Sequence, residues 1–280
     1  MKSLYERIHE YQTKGINAML VTVVFKQGEG PVEVGKKMLV SETGDAFGTV
    51  GGGALEYYAR EKVKTLLNSQ SHCHERYVLN EDKVIPNATT LPMVCGGVVT
   101  LFYEYIGCGK PIYIFGAGHV SQALVTILKT LPFHITVIDE RKPVIEAFKG
   151  ADVLINQGFA SYIETHGLKP KSMVVVCTPS HKNDYHVINT ILKHNIDVDY
   201  IGMLCSKEKI KDYLEKTYQT FGKDVNLNHF YSPIGLDLGG GSPEAIAISI
   251  TAELLVILND KKGHKHMRNT HEHNHRYWHD

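Results

Sequence analysis

The stretch Ile112-Tyr113-Ile114-Phe115-Gly116-Ala117-Gly118-His119-Val120-Ser121 constrains the chain most, because it places an apolar strand, a glycine loop and a helix in immediate succession. The strand is bounded by Pro111 and is apolar on both faces, as a buried parallel strand requires. Val120, Ala123, Leu124, Ile127, Leu128 and Leu131 then recur at helical spacing until Pro132 stops the helix. A glycine turn that opens a helix leaves free N–H groups at the positive end of the dipole, where a phosphate is favoured. The following strand, Ile135 to Ile138, ends in Asp139, near the spacing at which an acidic residue meets a ribose hydroxyl. Ser121 stands where a third glycine is usual, which predicts slightly looser packing of helix on strand.

Beyond this unit, strands are expected near 112–115, 134–139, 152–155, 172–177 and 198–202, alternating with helices near 119–130, 142–148, 183–194 and 206–220. Such alternation predicts a doubly wound parallel sheet with ligands beyond the carboxyl ends of its strands. Phe230 to Ile234 is a candidate edge strand, and Ser242-Pro243-Glu244 caps a final helix. Upstream, Ser3 and Glu6 have capping-box spacing before a first helix. A strand over 16–25 and a hairpin over 37–50 follow. Gly51-Gly52-Gly53 then opens a helix to about Asn68, strands cover 74–79 and 98–105 with a loop at 80–92 between them, and residues 107–111 are the linker. The fold class is α/β: a smaller α+β domain over 1–108, a Rossmann-like doubly wound parallel sheet over 109–262, and a histidine-rich, disordered tail over 263–280.

Composition narrows function. Lys+Arg and Asp+Glu balance at 30 each, which argues against a nucleic-acid surface. Met1 to Lys14 is polar rather than signal-like, and Ala245 to Leu258 is interrupted by Ser249, Thr251 and Glu253, so no membrane span is expected. The five cysteines lack CxxC spacing and read as reduced thiols in the cytoplasm.

At the expected strand ends the candidate binding residues are Gly116, Gly118, His119, Asp139, His181 and Asp184, with Arg141 and Cys205 beside them. His119, His181 and Asp184 have the chemistry to bind metal or shuttle protons, although loop histidines more commonly serve only as hydrogen-bonding groups. Asp184 can equally cap its helix. Arg141 can meet a phosphate or be solvated. In the first domain Gly51, Gly52 and Gly53 either permit close approach of a ligand to the backbone or serve only as a tight strand-to-helix turn. Cys95-Gly96-Gly97 offers a soft thiolate whose anion two adjacent N–H groups would stabilise, against the alternative of a small buried turn residue.

Taken together, Met38-Leu39-Val40, Gly48-Thr49-Val50-Gly51-Gly52-Gly53-Ala54-Leu55-Glu56, Cys95-Gly96-Gly97 and Phe115-Gly116-Ala117-Gly118-His119-Val120 resemble the XdhC/CoxI family. The likeness continues through His181 and Asp184, Tyr200-Ile201-Gly202, Pro233-Ile234-Gly235-Leu236-Asp237 and Ser242-Pro243-Glu244-Ala245-Ile246-Ala247. Two stretches depart from the family pattern: Val32-Glu33 replaces a basic pair, and Cys205-Ser206-Lys207 replaces Gly-Ser-Arg. The resemblance implies a factor that binds molybdenum cofactor (molybdopterin), promotes its sulfuration with a cysteine desulfurase, and helps insert it into a xanthine-dehydrogenase-like molybdenum hydroxylase. It makes Cys95 the expected metal-contacting residue and implies a cofactor chaperone without turnover of its own. Analogy with two-domain chains of this type suggests a homodimer. Two other readings compete. An NAD(P)-dependent oxidoreductase would use the same Rossmann fingerprint, and a metal-delivery protein would use His264, His266, His271, His273, His275 and His279.

Overall fold

A computed structural model describes residues 2–29 and 32–261, and the histidine-rich tail lies outside them. The chain divides into two compact units, Met1–Gly109 and the part from Lys110 onward. In the first unit, α1 (Leu4–Thr13) opens with the expected capping box, in which Ser3 Oγ accepts from the Glu6 amide and the Glu6 carboxylate accepts from the Ser3 amide. There follow β1 (Ala18–Gln27), β2 (Lys37–Ser41), β3 (Ala46–Gly48), α2 (Gly53–Ser69), β4 (Cys73–Val78), β5 (Thr89–Thr90) and β6 (Val98–Ile106). The sheet order is β3-β2-β1-β6-β4-β5, antiparallel except for the β4–β5 pair.

Alternation along β1 decides which helix covers which face. Met19, Val21 and Val23 join the core under α2 with Leu55, Val63 and Leu101, whereas Ala18 and Leu20 pack with Leu39 and Tyr11 of α1. Strand β5 lies in the segment expected to be loop. Two residues are too few to carry a pattern, and pairing with β4 creates the strand.

The second unit comprises β7 (Lys110–Phe115), α3 (His119–Leu128), β8 (Phe133–Ile138), α4 (Lys142–Ala147), β9 (Val153–Ile155), α5 (Phe159–His166), β10 (Ser172–Val176), α6 (His181–Lys193), β11 (Val198–Met203), α7 (Lys207–Phe221), β12 (Phe230–Tyr231) and α8 (Pro243–Leu258). Its sheet is the expected all-parallel one, ordered β12-β11-β10-β7-β8-β9. Ile112 and Ile114 pack on one face with Leu124, Ile145 and Ile250, while Tyr113 and Phe115 pack on the other with Ile163, Ile188 and Tyr213. Thus α3, α4 and α8 cover one face and α5, α6 and α7 the other.

Helix α5 falls outside the expected elements. Its eight residues lack a side-chain cap, and the helix exists because Phe159, Tyr162 and Ile163 bury one face as the chain crosses from β9 to β10. Helix α6 starts at His181, two residues earlier than expected, where Ser180 Oγ accepts the Asn183 amide. No helix among the described residues is long and apolar enough to cross a membrane.

Candidate functional site

Strand order in the second sheet reverses between β7 and β10, the switch point outside whose strand ends a parallel sheet places its ligand crevice. Gly116 and Gly118, one on each side of Ala117 in the loop leaving β7, are held in different ways. Gly116 has φ +110°, and a Cβ there would lie 2.3 Å from the Cys177 carbonyl oxygen, so both conformation and fit demand glycine. Its N–H donates to Ile138 O at 2.9 Å. Gly118 has φ −82°, which any residue adopts, and a Cβ there would meet nothing within 4 Å. It forms the N-cap of α3 without a side-chain cap, so the helix start faces open space. His119 is exposed there.

Ser121 does more than loosen packing. It is fully buried, donates to Gly116 O at 2.6 Å and lies 3.0 Å from Cys177 Sγ, so it ties the glycine loop to the loop leaving β10. Burial pushes the Cys177 thiol up to about 12, which keeps it protonated at neutral pH.

Asp139 is fully buried at the end of β8. Its Oδ2 accepts from the Ala117 amide at 2.8 Å and Arg141 Nη2 at 2.7 Å, while Oδ1 accepts from the Arg141 amide and Nε, both at 2.9 Å. Burial raises this carboxyl, but the guanidinium and the two amides more than offset it and hold it below the usual range. Both oxygens are therefore occupied by the glycine loop and by Arg141.

Asp184 sits in the first turn of α6 and is nearly buried. The Thr178 amide donates to its Oδ1 at 3.0 Å and the Thr178 hydroxyl lies 2.6 Å from the same atom, which closes the loop after β10. Burial pushes the Asp184 carboxyl up, and the Thr178 bonds return only part of that shift. His181 is exposed and stands edge-on to Tyr185 at 5.8 Å. Cys205, beyond β11, lies 3.0 Å from Ser232 Oγ. No group of three His, Cys, Asp or Glu side chains among the described residues has metal-binding geometry.

In the first unit, Gly51, Gly52 and Gly53 all adopt positive φ, and a Cβ on Gly51 would lie 2.7 Å from Val32 Cγ2. The start of α2 is filled from within. Glu56 Oε1 accepts from the Gly52 amide at 3.0 Å, the Val50 amide at 3.3 Å and the Thr49 hydroxyl. Burial opposes the charge of Glu56, yet these donors prevail and lower its carboxyl. Cys95 is partly buried against the α2-side core. The expected pair of N–H groups for its thiolate is not available, because the Gly96 amide donates to Leu79 O at 2.8 Å. A Cβ on Gly97 would lie 2.6 Å from Glu29 O. Glu29 thus touches Gly97, and Val32 touches Gly51.

The structure accordingly places Gly116, Gly118, His119, Asp139, His181 and Asp184 on the loops and helix starts after β7, β8 and β10. In the first unit it sets Gly51 against Val32 and Gly97 against Glu29, with Gly52, Gly53, Cys95 and Gly96 next to them in sequence. Sequence reasoning did not single out Thr178 or Glu56. Both identities were readable as short polar side chains or carboxylates within seven residues of their partners, but not the bonds they form.

Comparison with known proteins agrees with this architecture. A family model for the XdhC Rossmann domain matches residues 112–254, and a model for the XdhC and CoxI family matches residues 12–78. YqeB of Escherichia coli is 26% identical over 244 residues, which is 85% of this chain and 43% of that protein. A probable xanthine dehydrogenase component of Bacillus subtilis is 29% identical over 157 residues, 55% of this chain and 45% of its own. The chain thus spans under half the length of either relative. A crystal structure described as a xanthine dehydrogenase from Bacillus halodurans superposes with a TM-score of 0.50 at 20% identity, over 93% of this chain and 97% of that one, and bears on fold alone.

Proposed function

Since the chain belongs to the XdhC and CoxI family, we propose that it is an accessory factor for a xanthine-dehydrogenase-type molybdenum hydroxylase, holding molybdenum cofactor during its sulfuration and insertion. The observation that carries this reading is the open helix start at Gly118, in a crevice whose other loops are closed by Ser121, Asp139 and Asp184. A group that must be bound and then released needs such a preformed, backbone-lined anion seat rather than a reactive side chain.

The residues fit the phosphate end of a pterin. Gly118 and the first amides of α3 would hold the phosphate, with the Arg141 guanidinium nearby. For the metal, Cys95 in the first unit and Cys205 in the second are the partly buried thiols proposed as soft donors, each considered within its own unit. When bound, the cofactor supplies the molybdenum centre whose oxo ligand is exchanged for sulfur. The chain's own part is to bind, orient and shield it. A cysteine desulfurase, the hydroxylase and a second copy of this chain are the proposed partners. Hydride transfer with NAD gains less support, because the carboxylate expected to take the ribose hydroxyls is already fully engaged.

The test is the molybdenum and pterin content of the full chain purified from a molybdenum-replete host, together with its ability to activate an apo-hydroxylase. Parent protein is expected to carry both and to activate the partner, with Cys95→Ala losing most of the metal and Cys205→Ala less. A cofactor-free parent that leaves the hydroxylase inactive overturns the reading, and loss confined to Cys205→Ala moves the metal end to the crevice.

A further inference from the structure

We propose that Arg141, gripped by Asp139, determines specificity in the second unit's crevice by selecting a ligand with a phosphate monoester over one that offers a ribose diol. This rests on the proposed function only in supposing that the crevice binds a ligand at all.

The argument begins with the carboxylate. An acidic residue at the end of the second strand ordinarily recognises the hydroxyls of a ribose, and for that it needs a free oxygen. Asp139 has none. It is fully buried, Oδ1 takes two donors from Arg141, and Oδ2 takes the Ala117 amide and Arg141 Nη2. Admitting a diol would strip the partner from a donor in the loop or from the guanidinium.

The same bonds aim the cation. Nε and Nη2 grip Asp139, no bond from Nη1 occurs among the described residues, and the side chain remains 42% exposed. Ala117 N and Arg141 Nη2 share one oxygen, so the guanidinium is fixed beside the glycine loop and the start of α3. A planar fork held rigidly on one edge presents its other edge for two parallel bonds to a phosphate monoester. Asp139 and Glu140 are the anionic groups that act on this cation, and neither is bonded to Nη1. Glu140 Oε2 lies 3.9 Å from the Cβ position of Gly158, at the start of α5, and Lys142 sits 3.8 Å from Glu146. Two ligand sources share this chemistry: the phosphate of a pterin and the 2′-phosphate of a dinucleotide.

Two pairs of probes, differing only in the phosphate, test it on the full chain. One is the fluorescent pterin released by oxidising molybdopterin, before and after phosphatase treatment. The other is 2′-phospho-ADP-ribose against ADP-ribose. With at least one pair the parent is expected to bind the phosphorylated member about tenfold or more tightly. Arg141→Gln should abolish that preference, weakening the phosphorylated member about tenfold, while ADP-ribose, whose diol then meets freed Asp139 oxygens, binds no more weakly than before. Arg141→Lys should restore only part of it, and Lys142→Ala should keep it. A parent with no phosphate preference in either pair overturns the proposal, as does a preference that survives Arg141→Gln or falls equally with Lys142→Ala. A purely structural Arg141 would move the melting temperature and both members of a pair alike. Cofactor retention without any phosphate preference sinks this inference and spares the proposed function, whereas preference without cofactor retention does the reverse.

Discussion

The two glycine-rich helix starts resemble each other in sequence and differ in what occupies them. At α2, Gly51-Gly52-Gly53 leads into a helix whose own Glu56 reaches back and accepts from Thr49, Val50 and Gly52. At α3, Gly116-Ala117-Gly118 leads into a helix with no side-chain cap, and the nearby carboxylate, Asp139, supports the loop from behind through the Ala117 amide. One start carries its anion permanently and the other is left to receive one. A glycine motif at a helix start therefore marks a place where an anion fits, and the side chain one turn later decides whether that anion is internal.

The largest expected effect separates structural from ligand-facing glycines. Gly116→Ala forces a Cβ against the Cys177 carbonyl oxygen at 2.3 Å, on a residue with φ +110°. It should destabilise the second unit by about 3 kcal/mol or more, read as a fall in melting temperature. A Cβ at Gly118 meets no neighbour within 4 Å, so Gly118→Val should cost only about 1 kcal/mol at the N-cap while blocking phosphate-dependent binding. Equal destabilisation by the two variants would break the distinction.

A smaller effect is expected from Asp139→Asn, about 2 kcal/mol, because it removes an ion pair whose cationic partner is partly exposed. The folded-state carboxyl lies below its ordinary 3.8, so its stabilisation is present above that pH and is lost as pH falls through the folded value. The variant should therefore show a flatter stability profile below pH 3.8 than the parent. Parallel acid profiles would mean that Asp139 does not anchor the loop.

The smallest effect tests the filled site. Glu56→Gln should cost under about 1 kcal/mol and should make melting responsive to added sulfate, since the start of α2 loses its internal charge. The same sign applies here: Glu56 is lowered from 4.5, so its contribution exists above that pH and fades below it. A variant as indifferent to sulfate as the parent would show that the carboxylate is no plug.

Legibility followed the range of the interactions. Strand β7, the glycine loop and α3 were readable because apolar periodicity, Pro132 and the glycines act within a few residues of one another. Helix α5 was not, because its stability comes from burying Phe159 and Ile163 against residues distant in sequence. Within the site, the identities of Gly116, Asp139 and Asp184 were legible and their partners were not. By spacing Ser121 is a poor substitute for glycine, whereas in the fold its hydroxyl donates to Gly116 O.

What the sequence determined by itself is the order of elements, the parallel doubly wound sheet, the family pattern and the short list of polar residues at strand ends. These depend on periodicity and turn chemistry, which local spacing encodes. Only the tertiary structure decided which glycine is demanded by the fold, that Asp139 is spent on Arg141 and Ala117, and that Glu56 fills one helix start while α3 stays open. These outcomes depend on distances between atoms of separate elements, and a hydrogen bond is made or lost within a few tenths of an ångström that no residue spacing specifies.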